Sequence, residues 1–162
     1  MNECVQGDAR LTETYDRALR GEKARLLLTD PPYCLLVRRR KGGDLRDKRQ
    51  GVKIDRDPVV RFEDVRAYRK FTEQWLPKAV ACLAPGAPLV IWTNFLGKEP
   101  ILTAARALGY GALAAEFIWA KGEARLGGSE HLLRVYEVAL VLLREPLPAL
   151  APGDPPLSLI HI

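Results

Sequence analysis

The strongest constraint on how this chain folds is its alternation of short apolar runs with longer amphipathic stretches. "ARLLLTD" is an apolar run closed by Asp30-Pro31-Pro32; it is too short for a helix and reads as a buried strand. Val65, Tyr68, Phe71, Trp75, Ala79, Val80 and Leu83 then recur at helical spacing, and Pro77 is expected to kink that helix. After the "APGAP" turn, "PLVIWT" reads as a second buried strand. "GKEPILTAARALGYG" is a helix with Pro100 near its first turn and Gly109 after its last. "EFIWAKG" and "VYEVALVLLR" are two further strands, most simply an antiparallel pair. Strands alternating with helices imply an α/β fold with a mainly parallel sheet covered on both faces.

The N-terminal part follows the same logic. "ECVQGD" reads as a short strand, and "LTETYDRALRG" as a helix with Thr12 as N-cap and Gly21 as its stop. Phe71 and Trp75 are expected in the core, and Trp92 and Trp119 as packing residues. From Leu35 to Arg61 no clean period exists, and so long an irregular stretch is usually functional or mobile.

At 162 residues the chain is about one domain, with 48% hydrophobic and 28% charged residues, an ordinary globular balance. No apolar segment approaches the roughly 18 residues of a membrane span, and no secretory leader is visible, so a cytoplasmic location is expected. Cys4, Cys34 and Cys82 include no C-x-x-C pair, which argues against a disulfide framework and a zinc site.

The net charge of +5 is local in origin. Between residues 38 and 53, Arg38, Arg39, Arg40, Lys41, Arg46, Lys48, Arg49 and Lys53 stand against only Asp44 and Asp47. The rest of the chain is near neutral, so this segment is either a solvated loop or a phosphate-binding surface.

Asp30-Pro31-Pro32-Tyr33 carries the most chemistry. In open α/β sheets ligands bind beyond the carboxyl ends of strands, where this tetrapeptide lies. The prolines hold the turn in a narrow range and leave carbonyls free as acceptors beside the Asp30 carboxylate. Rigid acceptors suit an exocyclic amino group, and the Tyr33 ring can stack on a planar base. His131 reads as an exposed loop residue, and Glu116 and Glu137 as strand residues without an assignable partner.

Residues 1–144 resemble the DNA amino-methyltransferases, which use S-adenosylmethionine to methylate adenine N6 or cytosine N4. The resemblance is to the subgroup whose catalytic motif precedes the cofactor motif. "LLLTDPPY" matches the catalytic motif, "CVQGDAR" resembles the opening strand, and "LAPGAPLVIWTN" the next helix-turn-strand. "FIWAKGEARLGG" and "HLLRVYEVALVLLR" are similar to two late strands, although Tyr136 stands where histidine is common.

That resemblance implies a Rossmann-like methyltransferase sheet, mostly parallel with an antiparallel pair near the C-terminus, and incomplete here. It implies Asp30, Pro31, Pro32 and Tyr33 as catalytic residues, Asp8 and Asp30 as cofactor residues, and no metal. Asp30 and the Pro31 carbonyl would accept from the amino group of a flipped base stacked on Tyr33. The implied partner is double-stranded DNA, held by the basic segment from Arg38 to Lys53; a homodimer and a restriction endonuclease partner stay open. By the tendency of that family alone, aspartate opening the motif favours adenine N6 over cytosine N4. Two other readings stand beside this one: a non-catalytic nucleic-acid-binding protein on the same scaffold, and a small nucleotide-binding domain with a chance tetrapeptide.

No Phe-x-Gly-x-Gly-like cofactor loop occurs, and the G-x-G at Gly109-Tyr110-Gly111 follows a helix, without the strand-to-helix context such a fingerprint needs. Residues 1–145 therefore read as the N-terminal catalytic part of a methyltransferase domain, and 146–156 as a proline-rich linker. The final "LSLIHI", 157–162, matches one reading frame of a transposon-end sequencing adapter. The expectation is an inactive fragment whose "ARLLLTD" strand has an exposed edge.

Overall fold

The computed structural model describes residues 4–37, 60–120 and 136–146. Its elements run α1 (Thr12–Leu19), β1 (Leu27–Thr29), α2 (Val65–Ala81), β2 (Leu89–Thr93), α3 (Phe95–Ala107), β3 (Ala112–Ala120) and β4 (Tyr136–Leu143). The four strands form one sheet in the order β1-β2-β4-β3.

Only β1 and β2 pair in parallel; β4 is antiparallel to both β2 and β3. The expected antiparallel pair is present, but the sheet is mixed rather than mostly parallel. The physical reason lies in the sequence of β4. Its "VALVLL" stretch is apolar on both faces, and insertion between β2 and β3 gives it a strand on either side. Directions still agree across the sheet: β1, β2 and β3 run one way and β4 the other. The carboxyl ends of three strands and the amino end of β4 therefore meet along one rim.

The register assigns the faces. Leu89, Ile91 and Thr93 lie opposite Leu142, Leu140 and Val138, and all six are buried. On them pack Tyr68, Trp75, Leu76 and Ala79 of α2 and Ile101, Ala104 and Ala105 of α3, as one core. Burying a side chain of this size contributes about 1.5–3 kcal/mol, so this face supplies most of the driving force. Polar ties add orientation: Arg69 of α2 pairs with Glu99 of α3 at 2.9 Å, and Lys98 of α3 pairs with Glu116 of β3. The opposite face carries Leu28, Val90, Trp92, Phe117, Trp119 and Val141. Leu28, Phe117 and Trp119 are exposed there. Both faces were expected to be covered; among the described residues, α2 and α3 share one of them.

Several local expectations shift. Residues 4–8 form no strand: Asp8 instead makes a turn, accepting from the Arg10 and Leu11 amides and leading into α1. Thr12 is the first residue of α1 rather than its cap, and the helix ends at Arg20 in the left-handed region, with Gly21 after it. Helix α2 continues through Pro77 to Ala81, capped by the Asp64 carboxylate on the Ala67 amide. Helix α3 starts two residues earlier than expected, at Phe95, because Asn94 caps it; Gly109 follows its end at φ +87°. Strand β1 has only three residues and pairs, among the described residues, with β2 alone. No described helix is long and apolar enough to cross a membrane.

Candidate functional site

The candidate site stands on the rim where β1, β2 and β3 end and β4 begins. Asp30 directly follows β1. After it the chain turns through Pro31, which is buried, and Pro32, which is exposed. Tyr33 is half-buried and Cys34 fully so. A short hydrogen bond from the Leu35 amide to the Tyr33 carbonyl, 2.7 Å, closes a three-residue turn about Cys34. The chain then pairs briefly with Phe62, whose amide donates to the Leu35 carbonyl at 2.8 Å. The stiff tetrapeptide is therefore anchored at both ends, by β1 and by the Phe62 contact.

Asp30 and Tyr33 line a half-open cleft of about 400 Å³ together with Leu28, Thr29, Trp92, Trp119 and Glu137. Trp92, Trp119 and Glu137 come from three different strands, and the register explains their meeting. Trp119 lies opposite Glu137, and Trp92 opposite the neighbouring Ala139, so all three project from the open face near the rim. The two indoles meet edge to face, with centroids 6.3 Å apart. The cleft is thus walled by aromatic rings, with two carboxylates, Asp30 and Glu137, among its polar groups.

The Tyr33 phenol is held protonated far above its usual range. Burial is the main cause, followed by its hydrogen bond to Asp30 and then by Glu137. A neutral phenol has a single O–H to donate, with the Asp30 and Glu137 carboxylates beside it as alternative acceptors. The Cys34 thiol is pushed up to about 11 by burial and by Asp64, and stays protonated.

Pro32 faces a second cleft, of about 560 Å³, which it shares with Asp8, Phe62, Lys70, Phe71 and Gln74. The Asp30–Tyr33 turn therefore divides two clefts. In the second, both Asp8 oxygens are engaged by Arg10, with Oδ2 at 2.7 Å from the guanidinium. Those bonds hold the Asp8 carboxyl at about 2, well below its ordinary range. The chemistry of this donor set suits a group with a flat apolar part and polar edges.

Of the residues expected from the sequence, Asp30, Pro31, Pro32 and Tyr33 lie together at the rim, and Asp8 lines the second cleft with Pro32. Arg38, Arg39, Arg40, Lys41, Arg46, Lys48, Arg49 and Lys53 lie outside the described residues, as do Lys121, His131 and 147–162. Trp92 and Trp119, expected to be packing residues, and Glu137, left without a partner, join the site. Only the end-of-strand position of Trp92 hinted at this. Glu116 pairs with Lys98 instead. Among the described residues no cluster of His, Cys, Asp and Glu is arranged to hold a metal ion.

No protein-family model and no curated protein matches the chain. Solved structures do. The crystal structure of the M1.HpyAVI–SAM complex is similar over 88% of this chain and 53% of its own, with a TM-score of 0.52 and 14% identity. TTHA0409 of Thermus thermophilus, provisionally named a DNA modification methylase and complexed with S-adenosyl-L-methionine, covers 91% of this chain and 55% of its own. Its TM-score is 0.49 and its identity 21%. The M1.HpyAVI likeness establishes a shared fold. The chain spans about half the length of the structures it matches.

Proposed function

We propose that this chain carries the base-facing part of an S-adenosylmethionine-dependent DNA amino-methyltransferase, with adenine N6 as the favoured target. One observation carries the reading: the Asp30–Tyr33 turn ends β1 between two clefts, with Asp30 and Tyr33 on one and Pro32 on the other. A reaction joining a planar base to a methyl donor needs such an arrangement, with acceptors on the boundary. The shared fold with a SAM-bound protein supports it.

In this reading a flipped base enters the aromatic cleft and stacks on Tyr33. The Asp30 carboxylate and the Pro31 carbonyl accept hydrogen bonds from its amino group, which leaves the nitrogen lone pair directed across the turn. Trp92 and Trp119 exclude water from that side, and Glu137 holds Tyr33 in place through its hydroxyl. S-adenosylmethionine supplies an electrophilic methyl group when bound. Pro32, Phe71, Lys70 and Asp8 would hold it; the Asp8–Arg10 pair must open, or present its outer edge, to meet a polar group there. The basic residues from Arg38 to Lys53 would contact DNA phosphates, giving binding that weakens steeply with salt.

The test uses the full-length gene product with methyl-tritiated S-adenosylmethionine and duplex DNA. Tritium is expected in N6-methyladenine, with Asp30→Ala lowering the rate by about a hundredfold or more. Label in N4-methylcytosine would move the target to cytosine. Absence of transfer, or an Asp30→Ala variant as fast as the parent, would sink the reading.

A further inference from the structure

The cleft residues account for what the Asp30–Tyr33 turn presents, but not for what holds the turn against the body of the fold. Beyond β1 and the Phe62 pairing, a side-chain contact that does so comes from Asn94, 60 residues later in the chain, at the end of β2. Its Nδ2 donates to the Cys34 carbonyl at 3.0 Å, and its Oδ1 accepts from the Gly97 amide at 3.0 Å. The Gly97 amide also reaches the Asn94 carbonyl at 3.1 Å, closing the first turn of α3.

The orientation of the Asn94 amide follows from its partners. An N–H at Gly97 requires oxygen, so the nitrogen must face the Cys34 carbonyl, which requires a donor. Capping alone does not call for asparagine, since serine and aspartate cap as well. The second bond does call for it: aspartate would set a carboxylate oxygen against a carbonyl oxygen. Cys34 is wholly buried and is the central residue of the turn closed by Leu35 on Tyr33. A displacement of its carbonyl therefore moves Tyr33 directly.

The neighbourhood allows little compensation. Gly97 packs so closely that a Cβ there would collide with the Thr93 side chain and lie 3.1 Å from the Tyr68 ring. The first turn of α3 cannot slide to follow a displaced loop.

We propose that Asn94 is the positioning residue of the candidate site: its one amide clamps the Cys34 carbonyl to the start of α3 and so sets where Asp30 and Tyr33 stand. The consequence for catalysis rests on the methyl-transfer reading; the clamp itself does not.

The experiment compares the parent with Asn94→Asp, which keeps the cap, and Asn94→Ala, which loses both bonds. Hydrogen exchange is followed at the Leu35 and Gly97 amides of the 162-residue chain, and kcat and KM in the full-length product. For Asn94→Asp, exchange at Leu35 should rise about tenfold while Gly97 stays within about twofold of the parent. Its kcat should fall about tenfold with KM for DNA nearly unchanged. For Asn94→Ala both amides should exchange faster. Unchanged exchange at Leu35 in Asn94→Asp overturns the clamp. Equal acceleration at Leu35 and Gly97 in that variant also overturns it, since Asn94 would then be a helix cap and nothing more. A parent that transfers no methyl group sinks the functional reading, and exchange alone then decides the clamp.

Discussion

The indole of Trp119 meets that of Trp92 edge to face, at 78° and 6.3 Å between centroids, across the open face of the sheet. Trp119 is 55% exposed, so the contact contributes little to folding for its size. Trp119→Ala is therefore expected to lower stability by only about 1 kcal/mol. On the proposed function it should also weaken capture of a flipped base about tenfold or more, because base–aromatic stacking contributes about 1–3 kcal/mol. Thermal melting and 2-aminopurine fluorescence on a duplex probe measure the two effects separately.

Tyr33 has two separable parts. On the proposed function, Tyr33→Ala removes the ring on which a base would stack and should reduce methyl transfer by about tenfold to a hundredfold in the full-length product. Tyr33→Phe keeps the ring and loses only the hydroxyl that faces Asp30 and Glu137, for a loss nearer fivefold. Equal rates for the two variants would show that the hydroxyl, not the ring, matters.

Gly97 lies in a helix, where alanine is ordinarily better by about 1 kcal/mol. Here the added Cβ meets the Thr93 and Tyr68 side chains. Gly97→Ala should therefore destabilise by about 1–3 kcal/mol, a melting temperature lower by several degrees. A neutral or stabilised variant would show that Thr93 can rotate away.

The three cysteines should separate by reactivity. Cys4 is exposed, Cys82 half-buried and Cys34 buried. Iodoacetamide at pH 8 is expected to label Cys4 first and leave Cys34 unlabelled until unfolding, as read by peptide mass spectrometry. The Cys34 thiol titrates near 11 when folded, above its ordinary 9.0. Its contribution to stability is thus complete below about pH 9 and is lost as pH rises toward 11.

Asp8 shows the opposite sign. Its folded value, about 2, lies below the ordinary 3.8, so its contribution is complete above pH 3.8 and is lost as pH falls toward 2. Carbonyl-carbon NMR of the Asp8 side chain should show a midpoint near 2, and Arg10→Ala should return it toward the ordinary value.

Much of the architecture was legible because it is written locally. "LLLTDPP" and "PLVIWT" mark strand ends within a few residues, and the apolar spacing from Val65 onward marks α2. The expected helix began at Gly97 rather than Phe95, because the Asn94 cap that sets the start of α3 shows itself only in the folded chain. Residues 4–8 carry strand-like composition, but a strand also needs a neighbouring edge, and Asp8 found its partners in Arg10 and α1 instead. The mixed sheet was not legible because the insertion of β4 between β2 and β3 is a long-range pairing that no local pattern encodes.

The sequence by itself determined the tetrapeptide Asp30–Tyr33, its stiffness and its place at the end of a strand, because these depend on adjacent residues and on proline geometry. Tertiary structure alone decided what surrounds it. Trp92, Trp119 and Glu137 reach the cleft through cross-strand register, and Asn94 reaches Cys34 across 60 residues of chain. Such contacts arise when distant segments bury a common apolar face and, in doing so, bring their polar ends to one rim.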